Sequence, residues 1–534
     1  MTMIYNPLEE YESKFKAQHA EKTSELFSKL VEQSNVNVEE NRLTVKKYHE
    51  LRENLAKLKK KLNLWRFLRV LAIITLILIP LVILKMTPKI RAMRAEIEEA
   101  DRKADELLAE AERQMAPLIA LFRERHCLDL IEEVIPLVKF APCFSAEQEE
   151  NMRQNFDFDD FGDVNSSTID VLAGSYNDNP FIFETRLTHV LGIEVYHGYK
   201  TIHWTERYRG SDGKMHTRTR TQTLHATVTK PKPFYSTEVL LKYCAQGGPE
   251  LSFTRSATDL DDLSEKQIDK HIKKGEKKLK KLTDEAIEEN KDFVSMSNSD
   301  FEVLFGALNR TNEVQFRTLF TPLAQTNMVD LILSETSYED DFNFTKRGRT
   351  NTIRTRHSQG RALMLYPALF RSYSFDVIKD NFEKKNADFF REVYFDFAPL
   401  LAIPMYQERP VHSLDPLPDY SQLYSYMECE AIANATSPKN FVHPATKTKA
   451  ILKSSFVGSR NGADEINVSA YSYDIEKRVD FVTMLGGDGR MHSVAVPWDE
   501  YIPLEASNNF FVATVDKAKS ENVIGAKGSL FIYN

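Results

Sequence analysis

Five of the thirteen histidines, His189, His197, His203, His216 and His225, fall between positions 189 and 225. Imidazole is a metal ligand and a general base near neutral pH, so chemistry is sought here first. A transition-metal site also needs carboxylate or thiolate partners at ligand spacing, and none stands beside these histidines. The same stretch carries Arg207, Arg209, Arg218 and Arg220 around the octapeptide GSDGKMHT at 210–217. Four guanidinium groups on one face repel one another unless an anion meets them, which makes them a candidate partner-binding set. The octapeptide nearly recurs as GGDGRMHS at 486–493. A metal shared between His216 and His492 would explain the repeat by chemistry, and a common turn would explain it by backbone.

Other catalytic patterns are missing from the sequence. It has no G-x-S-x-G, H-E-x-x-H or G-x-x-x-x-G-K-[ST], and GAKGSL at 525–530 has the wrong glycine spacing for a phosphate loop. Cys127, Cys143, Cys244 and Cys429 lack C-x-x-C spacing and are too sparse for a disulfide framework. No metal and no cofactor is expected. Net charge is −8, so no global basic field gathers nucleic acid.

The candidate residues need a scaffold. TIHWTERYR and MHTRTRTQTLHATVTK are rich in threonine, aromatic and β-branched residues and flank Asp212-Gly213. Asp-Gly between such arms predicts a hairpin. With Asp212 and Gly213 central, Arg209 faces His216, Arg207 faces Arg218, Thr205 faces Arg220 and His203 faces Gln222. The four arginines then share one face, opposite Ile202, Trp204, Tyr208 and the threonines. Around the second copy the arms are apolar (Val479, Phe481, Val482, Leu485, Val494, Val496), so the expectation is two hairpins with common turn chemistry and no common ligand.

The N-terminal third points to a membrane. From Val70 to Leu84 the chain is apolar except for Thr75 and Pro80. Fifteen helical residues rise ~22 Å, and extension through Phe67 and Leu68, with Arg66 and Arg69 reaching the headgroups, approaches the ~30 Å hydrocarbon core. A single-span anchor over 65–86 is expected, with Trp65 as its interfacial aromatic. Pro80 leaves open a kink or a re-entrant segment. Upstream, Tyr48, Leu51, Leu55, Leu58, Leu62 and Trp65 alternate by three and four. Downstream, Ile90, Met93, Ile97, Ala100, Ala104, Leu107, Ala111, Gln114 and Leu118 do the same. Two such seams predict coiled-coil stalks and self-association as a homo-oligomer. No basic–apolar–small pattern opens the chain, so no cleavable signal peptide is read. Basic residues flank the run on both sides with a small excess before it, and exporting a highly charged 64-residue leader without a signal peptide is unfavourable. The N-terminus is therefore expected in the cytoplasm, with the side of the C-terminal region left open.

At 534 residues the chain is too long for one typical domain. The expected fold class is α+β: a helical stalk with one transmembrane helix, then a β-rich, multi-module region. Composition shifts divide it into 1–64 (helical), 65–86 (anchor), 87–125 (stalk), 126–262 (β-rich), 263–293 (a lysine-rich connecting helix), 294–400 (α+β) and 401–534 (short strands and loops). TKRGRTNTIRTRHSQGR at 345–361 reads as a second exposed basic hairpin or loop. The lysine-rich helix is a solvated connector or a patch that meets anionic headgroups.

DVLAGSYNDNPFIFETRLTHV, TLHATVTKPKPFY and SDFEVLFGALNRTNEVQFRTLFTPLAQTNMVDLI resemble an uncharacterised family of bacterial membrane proteins. The likeness covers roughly 165–335 and rests on Asp170, Gly174, Phe181, Gly213, Phe301, Glu302, Thr321 and Pro322. That family carries a pair of membrane helices near its N-terminus, where this chain shows one apolar run, and it has no assigned activity. The resemblance therefore implies class and compartment. The expected function is a membrane-anchored, self-associating scaffold or binding protein that meets a protein or anionic partner. The alternative is a membrane-bound, hydrolase-like enzyme whose catalytic set the sequence does not display.

Overall fold

The computed structural model describes residues 3–74, 85–135, 137–158, 164–211, 213–258, 260, 263–289, 293–410, 424–460, 463–513 and 532–533. Residues 75–84 of the expected anchor, and Asp212, lie outside them. The fold is α+β, and the chain forms two compact units. One gathers 9–136 with 364–394, and the other gathers 1–8, 137–363 and 395–534.

The first unit is helical. Its main elements are α1 (Lys16–Ser34), α2 (Val38–Ile74) and α3 (Thr87–Ile119), together with the start of α4 (Phe375–Leu401). The two predicted seams pack on each other within the chain. Leu55 and Leu62 are buried with Ile90, Met93, Ile97 and Ala104, flanked by Tyr48, Leu51, Leu58, Trp65 and Ala100. The pairing is antiparallel: Asn41 meets Gln114, Arg52 meets Asp105, Lys59 meets Asp101 and Trp65 lies against Lys89. A second core joins Phe27 and Leu30 of α1, Met115 and Leu118 of α3, and Phe370, Phe375, Ile378 and Phe382. Asn41, fully buried, links the two regions: its amide donates to the Tyr373 carbonyl at 2.9 Å and its carbonyl accepts from the Phe375 N–H at 3.0 Å. Among the described residues no helix is long and apolar enough to cross a membrane.

The second unit is built on two antiparallel sheets. The first has seven strands in the order β1-β2-β3-β4-β7-β6-β5: β1 (Val138–Phe140), β2 (Ser166–Tyr176), β3 (Asn179–Arg209), β4 (Met215–Cys244), β5 (Ser252–Arg255), β6 (Phe342–Arg347) and β7 (Thr350–Thr355). Asn177 and Asp178, at φ +47° and +67°, make the two-residue turn between β2 and β3, where short polar side chains accept positive φ. The second sheet is ordered β11-β10-β9-β8, from β8 (Ile451–Arg460), β9 (Ala463–Leu485), β10 (Met491–Ala513) and β11 (Ile532–Tyr533). The expectation of short strands beyond 401 is thus corrected. β9 and β10 run 23 residues each and pair with each other along their whole length. The connecting helix, α5 (Glu265–Glu288), forms as expected, as does the hairpin at 345–361. In that hairpin Arg347, Arg354 and Arg356 are exposed, as expected, while other positions turn inward. Lys346 and Asn351 are fully buried, and Arg349, Arg354 and Arg361 reach Asp157, Glu238 and Asp396.

A candidate binding arm and the ion pairs at its root

β3 and β4 pair continuously from Phe181–Tyr243 to Arg209–Met215, and β9 and β10 from Ala463–Ala513 to Leu485–Met491. Beyond residue 189 of β3 and before 235 of β4, this ribbon is clear of the other strands of its sheet. The two ribbons stack instead through their even-numbered faces. Ile202, Leu224 and Ala226 are buried against Val494 and Val496, with Tyr196, Trp204, Val482 and Met484 around them. Lys200 donates to the Ser493 carbonyl at 3.0 Å, and Lys230 pairs with Asp480 at 2.7 Å while lying 4.1 Å over the Trp498 ring. Gly198 makes this contact possible, since a Cβ there would stand 2.3 Å from the Ala495 carbonyl oxygen. Gly198→Val should therefore cost about 1–3 kcal/mol by overpacking and split the arm. Urea unfolding followed through Trp204 and Trp498 measures it, and an unchanged midpoint would show that the ribbons do not stack.

The repeated octapeptide resolves into one turn used twice. Gly210 N–H donates to Lys214 O at 2.9 Å and Gly213 N–H to Gly210 O at 3.0 Å; Gly486 to Arg490 and Gly489 to Gly486 measure 2.8 and 3.0 Å. Gly213 and Gly489 sit at φ +74° and +76°, where only glycine rests without strain. This is the three-residue loop with a glycine bulge. The second turn has an added role: Gly487 N–H donates to Gln222 Oε1 at 2.7 Å, so its tip closes on the first ribbon. His492 holds Asp488 at 3.0 Å and His216 lies beside Tyr208, so no pairing of these two histidines is seen.

The bulged turn also corrects the register. Arg209 pairs with Met215, Arg207 with Thr217, Glu206 with Arg218 and Trp204 with Arg220. A shift of one residue moves a strand's side chains to the other face. The four arginines are therefore divided. Arg218 and Arg220 share the inner face with Trp204 and Tyr208, past the second turn, and Glu206 accepts from both at 3.0 and 2.9 Å. The expected anion is thus supplied by the ribbon itself. Arg207 and Arg209 lie on the outer face with Thr205 and His203, and Arg209 donates to the Gly213 carbonyl at 3.0 Å. That outer face is a solvent-exposed row. Thr201 bonds Thr223 at 3.1 Å, His203 bonds Thr221 at 2.9 Å, and His197 bonds His225 at 2.9 Å with Tyr199 stacked on the latter. Among the described residues no group of three or more His, Cys, Asp or Glu side chains is arranged to hold a metal ion.

Among the described residues, several buried ionic groups went unread in the sequence, and three of them bear on the site. At the root of the arm, Lys242 Nζ donates to Glu184 Oε2 at 2.6 Å, and Thr168 Oγ1 donates to the other carboxylate oxygen at 2.9 Å. Nearby, Lys453 pairs with Glu430 at 2.9 Å, and Glu430 also accepts from Thr168 N–H at 2.8 Å; Glu430 comes from α6 (Tyr426–Thr436). Burial is the main cause that lifts the Glu184 carboxyl to about 7 and lowers the Lys242 ammonium to about 7. Charged letters inside FIFETR and LLKYC were the available signal. Second, the buried Arg255 guanidinium donates to Asp340 and to the Phe342 carbonyl. Third, His357 lies between Asp341 at 2.6 Å and Asp396 at 3.4 Å, with Tyr338 stacked on it. Ser358 Oγ donates to Asp396 at 2.6 Å rather than to the imidazole, and these side chains are at most 7% exposed for Asp341, His357 and Asp396. That geometry ties a loop to a helix and does not activate a nucleophile. The four cysteines are free thiols, and burial pushes Cys127, Cys244 and Cys429 up to about 12, which leaves them unreactive.

The residues that carry the family resemblance have packing roles here. A Cβ on Gly174 would meet the Phe181 ring at 2.4 Å, Phe301 stacks on Phe305, Glu302 pairs with Arg310 at 2.5 Å, and Thr321 caps the helix that Pro322 begins. Comparison with known proteins returns no matching family model, no matching curated protein and no matching solved structure.

Proposed function

We propose that this is a membrane-attached binding or scaffold protein, with the stacked-ribbon arm as its partner surface. The observation that carries the reading is the end of α2. Phe67, Val70 and Leu71 are 64%, 53% and 50% exposed, and the sequence stays apolar through Leu84. A helix end that holds Phe67, Val70 and Leu71 out in solvent suits hydrocarbon better than water. The arm supports the second half of the reading, because its outer face presents Arg207, His203 and the threonine row to solvent. Self-association loses its original motive, since the seams bury each other inside one chain. The reading therefore needs no second copy.

The full chain should pellet with membranes and resist carbonate extraction. Replacing 66–84 with a glycine–serine segment of equal length should release it; a replaced chain that still pellets would overturn the attachment. A photo-crosslinker at position 207 should trap one discrete adduct in native membranes, and none would leave the arm without a partner role.

A further inference from the structure

We propose that the antiparallel α2–α3 hairpin meets one leaflet of an anionic bilayer with the exposed apolar end of α2, so that residues before 66 and after 86 lie on the same side. This rests on the membrane-attachment reading and replaces its single span.

The first ground is the direction of the helices. Contacts run from Asn41 with Gln114, through Arg52 with Asp105 and Lys59 with Asp101, to Trp65 with Lys89 at 4.2 Å from the ring centre. Trp65 also packs on Met86. The chain therefore leaves the pair and returns to it at one end. A single crossing would separate α2 from α3 by the thickness of the bilayer and strip Leu55, Leu62, Ile90 and Ile97 of their partners.

The second ground is length. From Trp65 to Ile74, α2 rises ~13 Å. One leaflet contributes about half of the ~30 Å hydrocarbon core, ~15 Å. The stretch 66–86 holds 21 residues, whereas two full spans need ~40.

The third ground is charge. Lys60, Lys61 and Arg66 from α2, Lys85 just before α3, and Arg91 and Arg94 from α3 gather at that end, all exposed and making no ion pair among the described residues. A basic collar above an apolar tip fits acidic headgroups above acyl chains, and the aromatic ring of Trp65 stands between the two layers.

The experiment takes the full chain with an epitope tag at each end, in sealed vesicles and on liposomes. Protease added to one side should remove both tags or neither. Opposite accessibility of the tags would overturn the hairpin while leaving membrane attachment standing, and a chain found only in the soluble fraction would overturn both. On liposomes of phosphatidylcholine with one third phosphatidylglycerol, sedimentation should be at least about tenfold stronger than on phosphatidylcholine alone. Equal binding to the two would remove the anionic preference. The pair Phe67→Asp and Leu71→Asp should weaken binding at least about tenfold with helix content unchanged, because both side chains point away from the seam. Unchanged sedimentation of this variant would show that the tip does not enter the lipid.

Discussion

Lys242→Met should destabilise the β-rich unit by about 3–5 kcal/mol at pH 8, and by clearly less at pH 5. The ammonium is the direct partner of Glu184, and the two side chains are 5% and 2% exposed. Without it a carboxylate remains in a nearly water-free site, held directly by the Thr168 hydroxyl. The pH dependence follows from the directions of the two shifts. The folded Glu184 carboxyl titrates near 7, above its ordinary 4.5, so the folded chain keeps a proton that the unfolded chain has released. Its contribution is most favourable below about 4.5 and is lost as pH rises through about 7. Lys242 acts in the opposite sense. Its folded value near 7 lies below 10.5, so its contribution is favourable at high pH and is lost as pH falls toward 7. In the intact pair the two partly offset each other. The single variant keeps only the carboxyl, so its deficit relative to the parent grows from pH 5 to pH 8. The double variant Glu184→Gln/Lys242→Met should recover most of the loss, because no charge is left buried. Urea unfolding of the three proteins at both pH values decides it. A deficit that does not change with pH, or a double variant no better than the single one, would refute the account.

Asp340→Ala should be as damaging, again by about 3–5 kcal/mol, but without that pH signature between 5 and 8. Arg255 has no exposed surface and lies 4.0 Å over the Phe342 ring. Asp340 takes its guanidinium on one carboxylate oxygen and the Thr258 N–H on the other at 2.8 Å. Truncation strands the guanidinium among Phe305, Phe342 and the strand backbone. Arginine cannot shed its proton in this range, so acid brings no relief. By contrast, Arg220→Ala should change stability by less than about 0.5 kcal/mol, since Glu206, Arg218 and Arg220 are 43–46% exposed. Thermal and urea unfolding of both variants compare the two sites directly. Equal effects would mean that burial does not set the value of these ion pairs.

The same contrast explains what a reader of the sequence saw of the candidate site. Arginines flanking an Asp-Gly turn are conspicuous, and their hairpin forms. Their common face did not follow, because one extra residue in the loop, marked by the positive φ of Gly213, reverses which side each strand residue takes. The arginines at 345–361 looked alike on paper, but Arg349, Arg354 and Arg361 each proved to be paired with a carboxylate, Arg361 nearly buried and Arg354 half-exposed. Their carboxylates, Asp157, Glu238 and Asp396, come from positions no local pattern connects to them.

By itself the sequence determined whatever depends on neighbours along the chain. The 3–4 spacing of Leu55, Leu62, Ile90 and Ile97 specified which helix faces are apolar, the two Gly-x-x-Gly turns specified two hairpins, and the run after Trp65 specified an apolar end. Only the tertiary structure decided what covers those faces. The two seams cover each other, the two ribbons stack through Gly198, and Glu184 finds Lys242 across the root of the arm. Periodicity reports that a face must leave water, but it carries no information about which surface will meet it. That choice is made by chain direction, register and the need to pair each buried charge, all set by residues far apart in sequence.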